Sequence, residues 1–443
     1  MESPSLSKIK IIIIIISALI FSVNLDSFII NVNIASYILF FAITTVFIGN
    51  INHLITLFIS IYPIKSLFPA ESNQIFQIIQ SDEILILFII GLYLVKKNEN
   101  VVFNFDKNYY SNIAIYFSVF MFIVAILSHF RSVFILQSVQ LSSFYYMKVT
   151  LKALLLTSAI ILIARMSSNI NTQKSIDRGL FIGTLLSSTV ALLAPYVQNF
   201  GLNVSIYRDE VFRTGGAGMD ANEFAAFMLL TMSYFFARIE QSKFSEKKYF
   251  IGVIFSLIGV LKSGSRTGLF IFLVLTLLFL IKNKNNVRQL IPLFMLFSFL
   301  SIFISAPAID RLSTAGRHLQ IDSGTGRLYR QYTTIKYLIN NPSALLFGED
   351  KSIQDATEIK TNAHNYYIYL LYKFGIFVFL SYLFIMIKLI ILNRNKNKYS
   401  FSINYSLIAF YTPLLTVLYS TYLYFPLIIA MAPNKLSTKN NRD

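Results

Sequence analysis

The chain has no cysteine and no tryptophan, and only four of its 443 residues are histidine. Without cysteine there is no disulfide, no thiolate metal site and no sulfur nucleophile. Charge is scarce as well: Asp, Glu, Lys and Arg make up 13% of the sequence, against roughly 25% in a soluble domain. Acids are the scarcer sign, 21 against 38 Lys plus Arg, giving a formal net charge of +17. Hydrophobic residues supply 55% of the chain, and mean hydropathy is +0.62. A soluble multidomain protein needs polar helix faces, and this composition leaves too few polar residues to build them.

Apolar runs near or above ~17 residues, the least that crosses a hydrocarbon core as a helix, recur along the sequence. They predict an all-α, polytopic membrane protein, a single transmembrane domain over residues 1–443 with about 12–14 crossings. The expected spans are 9–25, 29–48, 51–68, 78–95, 112–128, 148–165, 179–197, 222–239, 249–262, 267–281, 290–306 and 365–389, with a tilted helix or hairpin at 403–432 interrupted by Pro413 and Pro426. The first run, KIKIIIIIISALIFSVNL, has the basic start and apolar middle of a secretory signal. No small-x-small cleavage site follows it, so it reads as an uncleaved first helix.

Lys and Arg near span ends mark the cytoplasmic side. With the N-terminus inside and strict alternation, the basic segments ARMSSNINTQKSIDR, ARIEQSKFSEKK, IKNKNNVR, LNRNKNK and the C-terminal tail all fall inside. Both termini are then cytoplasmic. The positive balance is orientation charge, and no nucleic-acid partner is needed to explain it.

Three outer segments carry the chemistry. Residues 198–224 hold Arg208 and Arg213, then the Gly215–Gly216–Ala217–Gly218 turn, then Asp220 and Asn222, placed to cap a helix beginning near Glu223. Glycines ahead of a helix N-terminus present backbone N–H groups to an anion; a capped helix after a turn is the plainer alternative. KSGSRTG, 262–268, joins two spans in so few residues that Arg266 is held at the membrane surface. A charge at that depth snorkels, pairs or serves a site.

The third is the long outer loop, 307–364. It carries Arg311, Arg317, Arg327 and Arg330 in its front half, a helix over RLYRQYTTIKYLIN ending before Pro342, and a turn at FGED. It ends on His364 and Asn365, at the N-terminus of span 365–389. The helix dipole and nearby arginines disfavour an imidazolium there. A neutral His364 can accept a proton from a hydroxyl, or it can simply cap the helix.

In this order and on this side, the motifs resemble the O-antigen polymerase and O-antigen ligase superfamily, the bacterial polysaccharide-assembly enzymes of the Wzy and WaaL type. The resemblance covers residues 180–390. Arg213, the glycines and Asp220-Ala221-Asn222 are similar to that family's Arg…Gly…Asp-Pro-Asn segment, with Ala221 in place of proline. Ser263-Gly264-Ser265-Arg266 resembles its Ser-x-Ser-Arg turn. Gly326-Arg327, Asn341-Pro342 and Phe347-Gly348 resemble its long-loop pattern, and His364-Asn365 followed by Gly375 its His-Asn…Gly block; where a second glycine is usual this chain has Val378.

The resemblance implies a GT-C-like glycosyltransferase of the bacterial inner membrane, acting at the periplasmic face on glycans carried by undecaprenyl pyrophosphate, with no metal and no cofactor. On this chain it implies Arg213, Arg266 and His364 as catalytic residues, with Arg208, Asp220, Asn222, Arg317, Arg327, Arg330 and Asn365 binding substrate. Membrane lipids and a chain-length regulator are the implied partners. Polymerase is the expected activity. An O-antigen ligase acting on lipid A–core is the alternative within the family, and a flippase or secondary transporter the alternative outside it. A transporter would be expected to show internal repeats, and the sequence has none.

Overall fold

A computed structural model describes residues 50–67, 85–91, 93, 112, 114–120, 122–123, 126, 143–167, 169–198, 206–208, 212–216, 220–242, 244–284, 327–349, 365–394, 405–410 and 426–428. The expected spans 9–25, 29–48 and 290–306 lie outside these residues. The described chain is helical apart from one small hairpin. In order the elements are α1 (Ile51–Ile61), a 3-10 helix (Tyr62–Leu67), α2 (Ser143–Met166), α3 (Ile170–Leu192), α4 (Ala194–Gln198), β1 (Ile206–Arg208), β2 (Phe212–Thr214), α5 (Ala221–Gln241), α6 (Lys247–Ser263), α7 (Arg266–Lys282), α8 (Arg327–Asn340), α9 (Pro342–Phe347) and α10 (Tyr366–Arg394).

Helices α5 and α6 form a hairpin whose close fit is written in small residues. Gly252, Ser256 and Gly259 share one face of α6. A Cβ on Gly252 would come within 2.7 Å of the Phe235 ring, and one on Gly259 within 2.6 Å of Met228 Cγ. Between them Ser256 Oγ meets Thr231 Oγ1 at 3.2 Å. The numbers fall on α5 as they rise on α6, so the two helices are antiparallel. Gly259→Leu is expected to force them apart at a cost of about 1–3 kcal/mol, read as a lower thermal midpoint of the purified protein, whereas Ile251→Leu on the exposed face of α6 leaves it unchanged.

The same reading gives the other directions. Thr56 and Ser60 of α1 reach the carbonyls of Ser175 and Gly179 at 3.2 and 3.4 Å, so α1 and α3 are parallel. Ala225 abuts Gly268, Phe236 stacks on Phe279 at 4.2 Å, and Glu240 pairs with Lys282 at 2.6 Å, so α5 and α7 are parallel. Ser188 donates to the Phe255 carbonyl at 2.7 Å, while Asp177 holds Lys248 at 2.7 Å, so α3 and α6 are parallel. Helices α1, α3 and α6 therefore run one way and α5 and α7 the other, as strict alternation of consecutive spans requires.

Two ends of the bundle follow. At one, Asp177 is buried and accepts from Lys248 and, at 2.8 Å, from Tyr234, whose hydroxyl accepts from Arg238 Nε at 2.9 Å. Arg238 stands in the basic segment ARIEQSKFSEKK, at the end of the expected span 222–239. It is 2% exposed, turned inward by Tyr234 and by Asp177 on a different helix. The opposite end gathers the start of α5, the SGSR turn and the β1–β2 hairpin.

Among the described residues, one stretch, Tyr366–Lys388, is long and apolar enough to cross a membrane by length and composition; Ile51–Ile64 and Leu154–Met166 are shorter apolar helices. The expected single span at 365–389 is corrected by the backbone. α10 breaks at Gly375 (φ 77°, ψ 179°) into helices 366–374 and 376–394. Tyr366 and Tyr367 lie 5.9 and 6.2 Å from Tyr382 across that break, although a continuous helix would set Tyr366 and Tyr382 about 24 Å apart along its axis. The two halves are folded back on each other.

Candidate functional site

The site is built from helix starts. Asp220 caps α5, its carboxylate accepting from Asn222 N at 2.8 Å, so the capping reading holds for Asp220, while Asn222 lies inside the first turn. Ahead of the cap, Thr214 Oγ1 accepts from Gly216 N at 3.0 Å. Gly216 (φ 61°) lies so close over Phe224 that a Cβ would approach its ring to 2.9 Å. This turn seats β2, and with it the backbone of Arg213, against the first turn of α5 and beside α6. In the β1–β2 ladder Arg213 stands opposite Tyr207 and Arg208 opposite Phe212. Successive ladder positions belong to opposite faces, so the hairpin places these two arginine positions on different sides.

α6 ends at Gly264 in the left-handed conformation (φ 62°), Ser265 N donates to Ser263 Oγ at 3.1 Å, and Ser265 Oγ caps α7 by accepting from Gly268 N at 3.2 Å. Both serines of the SGSR motif are thus spent on the turn, and Arg266 is left as the first residue of α7. Because Gly268 abuts Ala225, the positive ends of α5 and α7 lie side by side. A guanidinium at a helix N-terminus opposes the dipole. Among the described residues Arg266, which is half-buried, has no ion pair and no side-chain hydrogen bond, and no acid stands in the first turn of α7. Lys262, half-buried directly before the SGSR turn, is a further cation at this end; it sits in the KSGSRTG motif, where Arg266 alone drew attention.

α8 repeats the pattern. It opens on Arg327, with half-buried Arg330 in its first turn and no acid there, and it ends before Pro342 as the sequence predicts. Asn365 is 9% exposed and caps helix 366–374, its Oδ1 accepting from Tyr367 N and Ile368 N at 3.0 and 3.2 Å. His364 and Arg317 lie outside the described residues. Tyr366 and Leu370, just after Asn365, belong to the same buried core as Phe224 and Leu269.

The cap formed by α8 and α9 is clamped to the break in α10. Gly348 (φ 84°) and Gly375 (φ 77°) face each other. A Cβ on Gly375 would overlap the Leu346 carbonyl, and one on Gly348 the Lys373 carbonyl. Glu349 N donates to Tyr372 O, Tyr337 packs on Tyr372 at 6.1 Å, and the Tyr337 hydroxyl donates to the Glu349 carboxylate at 2.5 Å. This Tyr337–Glu349 pair escaped the sequence reading, since nothing local links residues on either side of Pro342.

Burial and the bond to the Glu349 carboxylate push the Tyr337 phenol up to about 12. A raised phenol favours the folded state while it keeps its proton, so the contribution is complete below about pH 10 and is lost as pH rises through about 12. Tyr337→Phe should lower stability by about 1 kcal/mol, a small value because the pair is partly exposed. Urea titrations should show that difference constant from pH 7 to 9 and vanishing above pH 12.

Among the described residues no three His, Cys, Asp or Glu side chains converge as metal ligands. Residues 251–383 match a family model described as O-antigen ligase, which supports the resemblance to the O-antigen polymerase and ligase superfamily. It spans α6, the SGSR turn, α7, the cap and the break in α10. No curated protein and no solved structure matches the chain.

Proposed function

We propose that this chain, which carries a segment resembling the O-antigen polymerase and ligase superfamily, is the O-antigen polymerase. It would transfer the growing glycan from undecaprenyl pyrophosphate to the next lipid-linked repeat unit at the periplasmic face of the inner membrane. The observation that carries the reading is Arg266: a cation on the positive end of α7, beside the positive end of α5, with no carboxylate against it among the described residues. Such an end suits a bound anion, and the pyrophosphate of the donor is one.

The transfer forms a bond from the acceptor hydroxyl oxygen to the anomeric carbon and breaks the bond from that carbon to the phosphate oxygen. The hydroxyl proton passes to His364, and the undecaprenyl pyrophosphate leaves with the bonding electrons. Arg266 and Arg213 stabilise the growing negative charge, and Arg327 and Arg330 bring further cations from the cap. The protein uses no metal.

Membrane embedding is supported by the outer faces of two helices. Phe270, Leu273, Leu277 and Ile281 on α7, and Phe377, Leu380, Phe384, Ile387 and Ile391 on helix 376–394, are each at least half exposed. Apolar stripes of that extent mark an interaction surface, and small and hydroxylated residues face inward, as in helices packed within lipid.

The description of the matched family favours a second reading, ligase. Polymerase is preferred because the match stops short of the N-terminal half, which suits a gene that varies with the polysaccharide it builds. Deleting the gene decides between them: a lipid A–core bearing one repeat unit indicates a lost polymerase, and a core bearing none a lost ligase.

A further inference from the structure

On the reading that the chain is membrane-embedded, we propose that the cap rests on the lipid: the exposed stripe Tyr332, Ile335 and Ile339 of α8, continued by Leu346 and Phe347 of α9, lies in the headgroup–acyl boundary of an anionic leaflet. α8 has three faces rather than two. Thr334 and Leu338 are buried, and with Tyr337 they form the face against α9 and Tyr372. Lys336 and Asn340 are exposed on a polar face. Between them stand Tyr332, Ile335 and Ile339, which are 61%, 41% and 67% exposed and fall within an arc of about 60° at the helical period.

A cap surrounded by water needs a single apolar face, the one it packs on. A second one is the mark of a helix lying in an interface.

Two observations commit the stripe to lipid. The first is charge: α8 carries no acid, and exposed Lys336, one turn from Tyr332 at the edge of the stripe, complements anionic headgroups. The second is continuity. Gly375 packs on the Leu346 carbonyl, so exposed Leu346 and Phe347 lie beside the top of the stripe that runs from Phe377 to Ile391. The apolar surface of helix 376–394 therefore continues over the break onto the cap, and what covers one part reaches the other.

The absence of tryptophan makes the test direct. Ile339→Trp is placed in the full-length protein, reconstituted in phosphatidylglycerol-containing vesicles, with lipids brominated either near the headgroup or near the chain ends. Its exposed position accommodates the larger ring, and Ile335→Trp is a second reporter on the same stripe. The expected result is blue-shifted emission quenched mainly by the shallow bromines. Phe384→Trp should be quenched mainly by the deep ones, and Asn340→Trp should stay red-shifted and unquenched. If Phe384→Trp is quenched and Ile339→Trp is not, the cap does not touch lipid, although the embedding stands. Deep quenching of Ile339→Trp overturns the interfacial placement. If neither reporter is quenched, the membrane reading itself fails.

Discussion

Gly375→Ala is expected to abolish the folded protein or lower its stability by more than ~4 kcal/mol, the range reserved for the severest single changes. Two effects add. The backbone at φ 77°, ψ 179° is open essentially to glycine alone, and a side chain there costs about 1–3 kcal/mol in strain. A Cβ would also stand 2.2 Å from the Leu346 carbonyl oxygen and 2.8 Å from Gly348 N, and backbone atoms cannot yield as a side-chain tip can. Gly348→Ala should act in the same way, with its Cβ 2.4 Å from the Lys373 oxygen. Both substitutions part the same contact, so their effects are not additive, and the double variant should be little worse than the worse single. The measurement is the thermal midpoint of the solubilised protein, with limited proteolysis between α8 and α10 reporting release of the cap. Gly91→Ala, at a glycine with open space around it, is the control and should be neutral.

The second large effect concerns Arg266. Its replacement by alanine is expected to slow glycosyl transfer about 10²-fold or more, the loss that follows removal of one group aimed at developing charge. Stability should move the other way. Taking a cation off the first position of α7 relieves its opposition to the dipole, by about 0.3–1 kcal/mol, so the slow variant should melt at the same temperature or slightly higher. Arg266→Lys keeps the charge and loses the planar fork, and should recover only part of the rate. A structural arginine would give the opposite pairing, with activity and melting temperature falling together.

The parts legible in the sequence are those set by local chemistry. Asp220 announces a helix start, Ser263-Gly264-Ser265 a tight turn between helices, and Pro342 the end of α8. What escaped has a tertiary cause. Gly375 enters the sequence reading as the glycine of the His-Asn…Gly block inside one apolar span, and only the approach of the Leu346 carbonyl makes it a break. The β1–β2 hairpin is too short for an alternating pattern. Arg238 reads as orientation charge until Asp177 is seen behind Tyr234. The cap that the Asn365 oxygen gives helix 366–374 was not legible either, and it leaves the amide nitrogen for the substrate-binding role proposed for this residue.

The central claim is that the Arg266 end of the bundle transfers glycan between lipid pyrophosphates. It is tested most directly by purified protein in vesicles supplied with a defined undecaprenyl-pyrophosphate repeat unit and no lipid A–core. The account predicts a ladder of lengthening lipid-linked glycans from the wild type and almost none from Arg266→Ala folded to the same extent. A wild type that leaves the repeat unit unchanged, or an Arg266→Ala protein that builds the ladder at the same rate, would contradict it.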